Sequence, residues 1–205
     1  KLTVLYYGPS SLKEVDQLVS KTIQTPKMFA AVPAIKRYTE ETTPKNEVLI
    51  APYDAKNIYM VQLHNQNQKW SADRAPIIAL FNEYFGGGMN AIVFQELREA
   101  RGLAYSASAV YASPYRLGGN ESFYTYIITQ NDKMIDCVTE FNKLLNNVPV
   151  RQSGFDLAKQ SLMKSLASQR TTKYSILTSY LAAQRLGIDY SLSEKIYNAL
   201  PSLQL

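Results

Sequence analysis

Apolar positions recur along this chain with two different periods. Leu103, Tyr105, Ala107, Ala109 and Tyr111 fall on alternate residues, which is the period of a strand with one buried face. Gly118-Gly119 supplies a turn, and the β-branched and aromatic run Ser122 to Thr129 follows it. These two stretches predict a hairpin. Further strands are expected upstream at Val48 to Tyr53 and Ile58 to Leu63, on either side of the turn-prone Asp54. Another is expected at Leu2 to Tyr7, closed by Gly8-Pro9.

The helical period appears elsewhere. Leu12, Val15, Leu18, Val19 and Ile23 share a stripe that Ser10 or Ser11 can N-cap. Asp73 to Phe85 carries Ile77, Leu80, Phe81, Tyr84 and Phe85 on one side and stops at Gly86-Gly87-Gly88. A helix from Asn90 to Ala100 follows, with Ile92, Val93 and Leu97 inward. Three more stripes complete the chain: Met134 to Val148, Phe155 to Leu166, and Ile176 to Leu181, the last stopping at Gly187. Between Thr25 and Lys45 neither period holds, and prolines at 26, 33 and 44 mark an extended connector. Pairs of strands segregated from helices predict an α+β fold, a two-layer sandwich of mostly antiparallel sheet with helices on one face. The start inside a strand and the end at Leu205 suggest a piece of something longer.

Composition narrows the chemistry. The chain has 205 residues, 46% hydrophobic and 19% charged, with one histidine (His64) and one cysteine (Cys137). An intrachain disulfide needs two cysteines, and zinc sites take several His or Cys ligands. His64 reads as a solvated residue at a strand's tail, and Cys137 as part of a core stripe. The formal charge is +5, yet the basic residues are scattered. The densest stretch, Arg98-Glu99-Ala100-Arg101, is interrupted by acid, so nucleic acid is not the expected partner. Arg101 and Tyr115-Arg116 read as surface. No apolar run reaches the ~20 residues of a membrane span. Phe123, Tyr124 and Tyr126 alternate between two sheet faces, which sheet packing explains without a carbohydrate site.

Residues 81 to 106 hold the unusual text. Three glycines between helices suggest a phosphate cradle, but that chemistry needs Lys and Ser/Thr at the next helix start, and Met89-Asn90 stand there. Gly86, Gly87 and Gly88 read instead as a flexible joint where a backbone can approach closely. Arg98 ends the following helix and Tyr105 opens the next strand, so both can face one cleft across the Gly102 turn. Phe94, one helical turn before Arg98, can line the same pocket or equally pack as core. The plainer reading pairs Arg98 with Glu99 or Glu96 and packs Tyr105 like Tyr111.

Tyr84-Phe85-Gly86-Gly87-Gly88-Met89, Phe94-Gln95-Glu96-Leu97-Arg98-Glu99 and Arg101-Gly102-Leu103-Ala104-Tyr105-Ser106 together resemble the C-terminal-type, non-zinc domain of the insulinase / pitrilysin / mitochondrial-processing-peptidase family of zinc peptidases. The layout of the flanks extends the resemblance over most of the chain. It implies residues 1–205 as a single C-terminal-type domain of a larger clam-shell peptidase, with 25–45 as a connector within it. In the family, zinc sits on an inverted His-x-x-Glu-His helix in another domain, and with one histidine this sequence departs from that motif. The implied cofactors are none on this chain and Zn in the catalytic domain of the parent protein. The implied partners are a zinc-bearing half, in the same polypeptide or a partner subunit, and a peptide substrate. The domain would be inactive alone, with no catalytic residue acting within this chain by itself and no metal ligand.

The family's second half supplies an Arg and a Tyr spaced as Arg98 and Tyr105 are, which favours the last family domain. The resemblance therefore implies that Arg98, Tyr105 and Phe94 meet substrate and that Arg98 and Tyr105 assist hydrolysis. The alternative is a catalytically inactive homologue acting as a structural or protein-binding module.

Overall fold

The alternation that predicts a hairpin forms one. In the computed structural model, which describes residues 3–24, 28, 30–34, 36, 38, 41–65 and 67–205, β1 (Asn57–His64), β2 (Ser106–Ala112) and β3 (Ser122–Gln130) make an antiparallel sheet of order β1-β3-β2. Ala109 lies opposite Thr125, and Val61 opposite Tyr126. Ala107, Ala109, Thr125, Ile127 and Thr129 are buried on one face. The other face carries Tyr59, Val61, Tyr124 and Val110 and is exposed.

The helices are α1 (Leu12–Thr22), α2 (Ala75–Phe85), α3 (Ile92–Phe94), α4 (Met134–Asn146), α5 (Gln152–Ala167), α6 (Lys173–Leu186) and α7 (Leu192–Ala199). α2, α3 and α4 pack on the buried face of the sheet, and α5 and α7 pack against α2. The fold is α+β, with helices on one side of the antiparallel sheet. Phe85, Val93, Leu97, Ile127, Cys137, Phe141 and Leu200 form its fully buried centre. Among the described residues, no helix is long and apolar enough to cross a membrane.

Small residues decide how closely α2 meets the sheet. Gly86 caps α2 through its N–H to the Asn82 carbonyl, and its own carbonyl accepts from the Ala109 N–H at 3.3 Å. Asn82 then brackets Tyr111, accepting from its N–H at 2.7 Å and donating to its carbonyl at 3.0 Å. The outer edge of β2 is thereby covered by a helix end, which removes an exposed row of peptide groups.

Several buried polar groups are matched, while Trp70 Nε1 and the two Glu121 carboxylate oxygens make no hydrogen bond to described residues. Asn65 receives the Glu41–Thr43 stretch, donating from its side-chain amide to Glu41 O at 2.8 Å and from its N–H to Thr43 Oγ1 at 2.9 Å. The Glu121 carboxylate, fully buried, lies 3.2 Å from Arg74, whose guanidinium also donates to the Tyr111 hydroxyl.

Several expectations need correction. Thr3 to Tyr7 make no strand, and Leu2 lies outside the described residues. Val48 to Tyr53 make none either, and Val48, Leu49, Ile50 and Tyr53 are exposed. Both runs have strand composition but no hydrogen-bonded neighbour, and a strand without a partner has nothing to offset its conformational entropy. Of the connector, residues 25–27, 29, 35, 37, 39 and 40 lie outside the description, and its described remainder holds no helix or strand. The expected Asn90–Ala100 helix is α-helical only through α3 and then widens. The element missed altogether is α7. Its signal was present: Ser191 accepts from the Glu194 N–H as an N-cap should.

Cys137 has no exposed surface, and burial pushes its thiol pKa up. Thiolate is the reactive form, so a thiol reagent should leave Cys137 unmodified in the native protein and label it fully in denaturant. Labelling of the native protein at the rate of a free thiol would contradict this packing.

Candidate functional site

The chain between α2 and β2 is held at both ends and turns sharply in the middle. After Gly88, α3 begins with Ile92 and Val93 buried. Gln95 through Ala100 then form a π-helical turn of six residues. Such wide turns are uncommon and concentrate at functional sites. Buried Leu97 anchors the turn, and its carbonyl accepts from the N–H groups of both Leu103 and Ala104. The Arg98 carbonyl accepts from the Gly102 N–H at 3.0 Å. Gly102 has φ +59°, the left-handed region that glycine occupies without strain. Tyr105 then joins the sheet, donating its N–H to the Ile128 carbonyl at 2.8 Å.

This path brings Phe94, Arg98 and Tyr105 together. The Arg98 guanidinium carbon sits 4.8 Å from the Phe94 ring centre and 5.8 Å from that of Tyr105, both within cation–π range. A guanidinium flanked by rings is held without its donors being consumed. Its one ion pair among the described residues is from Nε to Glu99 at 3.7 Å, between half-exposed groups, worth at most ~1 kcal/mol. The terminal nitrogens of Arg98 and the Tyr105 hydroxyl make no hydrogen bond to described residues, and Tyr105 is 75% exposed. Two free donors thus face solvent side by side.

A second set of charges steadies the turn from behind. The Glu96 carboxylate, only 16% exposed, is held by Arg151 and by Arg101 at 3.7 Å. Arg101 reaches on to Glu140 at 3.6 Å. The Lys143 hydrogen bond, with Arg101 adding to it, keeps the Glu140 carboxyl below the usual carboxylate range. Arg151 is placed in turn by Tyr84, whose hydroxyl accepts from the Arg151 N–H at 2.9 Å and donates to Pro149 O at 2.7 Å. Of the two partners considered for Arg98, Glu99 is the one it meets, while Glu96 serves Arg101 and Arg151. Sequence reasoning took Arg101 for plain surface, and the network was missed because Arg151 lies 55 residues from Glu96.

The three glycines differ in surroundings. A Cβ on Gly86 would lie 2.0 Å from the Ala109 carbonyl oxygen, and one on Gly87 would lie 2.8 Å from Asn82 O. Gly88 has open space around it. Gln95 ties the joint to the wide turn, donating from its side-chain amide to Met89 O at 2.6 Å. Among the described residues, no three His, Cys, Asp or Glu side chains converge as a metal site would require, and His64 stands at the end of β1, 6.0 Å from Phe123. The residues described do not fit a zinc ion.

The family model described as "Peptidase M16 inactive domain" matches residues 1–162. The chain belongs to this family. No curated protein sequence matches it, whereas solved structures resemble the M16 inactive domain across most of its length. The peptidase M16 inactive domain from Pseudomonas fluorescens shares 20% identity, covering 74% of this chain and 36% of its own, with a TM-score of 0.58. A protease from Helicobacter pylori shares 13% identity over 94% of this chain and 50% of its own, with a TM-score of 0.62. The periplasmic protease PqqL from Escherichia coli also shares 13%, over 96% of this chain and 22% of its own, with a TM-score of 0.58. At these identities the likeness is one of fold, and this M16 domain spans half or less of each of those chains.

Proposed function

We propose that this M16 inactive domain is the non-zinc part of a zinc-dependent metallopeptidase. It closes a chamber over a peptide and places Arg98 and Tyr105 against the bond being cut. The observation that carries this reading is the juxtaposition of Phe94, Arg98 and Tyr105, with the donors of the last two unclaimed. Peptide hydrolysis builds negative charge on the former carbonyl oxygen. A guanidinium and a phenol aimed there stabilise the transition state more than the ground state. Both act as hydrogen-bond donors; neither supplies the nucleophile or takes a proton. The Phe94 ring, 4.8 Å from the guanidinium carbon, limits where Arg98 can move, so less freedom is lost when substrate arrives. Metal chemistry belongs to the other half in this reading, and no role of the residues described here passes through it.

The test is made on the full-length protein with its partner half, using quenched peptides and metal analysis. The expected result is bound zinc in the parent, cleavage lost to a chelator and restored by added zinc, and no cleavage by residues 1–205 alone. A parent with neither zinc nor cleavage would instead make the domain a structural homologue.

A further inference from the structure

β1 is an edge of the sheet, and among the described residues its outer side pairs with no strand. Asn57–His64 holds no proline, lysine or carboxylate, the residues that usually keep a bare edge from pairing. Just upstream, Val48, Leu49 and Ile50 have strand composition and are 82–87% exposed.

The two stretches are already tied to each other at both ends. At one end the Thr43 N–H donates to the Asn65 carbonyl at 3.0 Å, and the Asn65 N–H donates to Thr43 Oγ1 at 2.9 Å. At the other the Ala55 N–H donates to the Tyr53 carbonyl at 3.0 Å, closing a three-residue turn about Asp54. The arms between these ties, 44–53 and 55–64, are of equal length. An antiparallel pairing that starts with Thr43 opposite Asn65 therefore reaches Tyr53 opposite Ala55 with no residue left over.

Side chains and prolines fit that register. Val48 falls opposite Met60 and Ile50 opposite Ile58, the half-buried positions on the helix side of β1, and opposite residues share a face. Lys45 and Glu47 fall opposite Leu63 and Val61, on the exposed side. Asn65 turns its peptide groups to Thr43, so by alternation the pairs 45–63, 47–61, 49–59 and 51–57 exchange the peptide hydrogen bonds. Pro44 and Pro52 fall between those pairs, where their missing N–H would face outward, the place an edge strand tolerates proline. A slip of one residue turns Val48 and Ile50 to solvent and sets both prolines at bonding positions.

We propose that residues 44–53 are a strap that closes on the free edge of β1 as a fourth antiparallel strand, with Thr43 opposite Asn65. Closure brings Val48 and Ile50 under the helix layer. It also replaces an unguarded edge with one interrupted by two prolines, so the sheet no longer offers a template to a second chain. This inference is independent of the peptidase reading.

The experiment is cysteine cross-linking in the full-length protein, at low concentration under oxidised glutathione, with the bond located by peptide mass. Glu47→Cys with Val61→Cys sets two thiols directly opposite on the exposed side, at a Cα separation of about 5.5 Å that suits a disulfide. Asn46→Cys with Val61→Cys is the control, because its thiols point to opposite faces. Cys137 is buried and takes no part. The first pair should close within one chain about tenfold faster than the second. In the unsubstituted protein, the amides of Lys45, Glu47, Leu49 and Ala51 should exchange with solvent about tenfold more slowly than those of Asn46, Val48 and Ile50. Equal cross-linking rates overturn the proposal, as does uniformly fast exchange over residues 45–51. A disulfide that joins two molecules also overturns it, and would give the β1 edge to a second copy of the chain.

Discussion

Replacing Arg98 by alanine in the full-length protein is expected to lower kcat/KM for peptide cleavage by about 100- to 1000-fold, the usual cost of removing one donor to a developing oxyanion. The loss should fall in kcat with KM little changed, because the contact strengthens only as charge develops. Arg98→Lys keeps the charge but gives up the planar guanidinium fork that lies near the Phe94 and Tyr105 rings, so it should recover only part of the rate. Tyr105→Phe leaves the ring in place and removes one neutral donor, and its cost should be smaller, about 10- to 100-fold. Steady-state kinetics with zinc content determined on each variant checks all three. A rise in KM with kcat preserved would mean that Arg98 only binds the ground state.

Gly86→Ala is expected to destabilise the domain by about 3 kcal/mol, at the upper end of ordinary overpacking. The added methyl would stand 2.0 Å from the Ala109 carbonyl oxygen and 2.6 Å from its nitrogen. Backbone on a sheet strand cannot turn aside as a side-chain tip can. Relief must come from sliding α2 off β2, which also breaks the Gly86–Ala109 hydrogen bond and loosens the Asn82 bracket on Tyr111. Gly88→Ala is the control: a methyl added there meets nothing within 4 Å, and the change should be neutral or stabilising by up to ~1 kcal/mol through reduced freedom of the unfolded chain. Denaturant midpoints of the two variants provide the comparison, and equal shifts would contradict the packing described.

The sequence made some of this legible, for identifiable reasons. β2 could be read because one face is buried, and burial imposes the two-residue period at Ala107 and Ala109; β3 could be read from the β-branched and aromatic run that follows the Gly118-Gly119 turn. Val48 to Tyr53 has the same kind of residues but no neighbour to bond with, and partnership is not written in a local run. The meeting of Arg98 with Tyr105 was legible through Gly102, since a glycine between a helix end and a strand permits the left-handed turn observed at φ +59°. The π-helical widening was not legible, because it inserts no diagnostic residue and arises from how Leu97 and Arg98 carbonyls are taken up by the following residues. The Glu96–Arg151 pair depends on two segments meeting in space, which no periodicity reveals.

The most direct test of the central claim compares a peptide carrying a tetrahedral phosphinate at the cleavage position with the matching uncleaved peptide, each titrated against the full-length protein and its Arg98→Ala variant. If Arg98 serves the transition state, the variant loses affinity for the phosphinate by the same factor as it loses kcat/KM, while affinity for the ordinary peptide stays within about twofold. A phosphinate bound equally well by both proteins would contradict the account, whatever the rate of the variant.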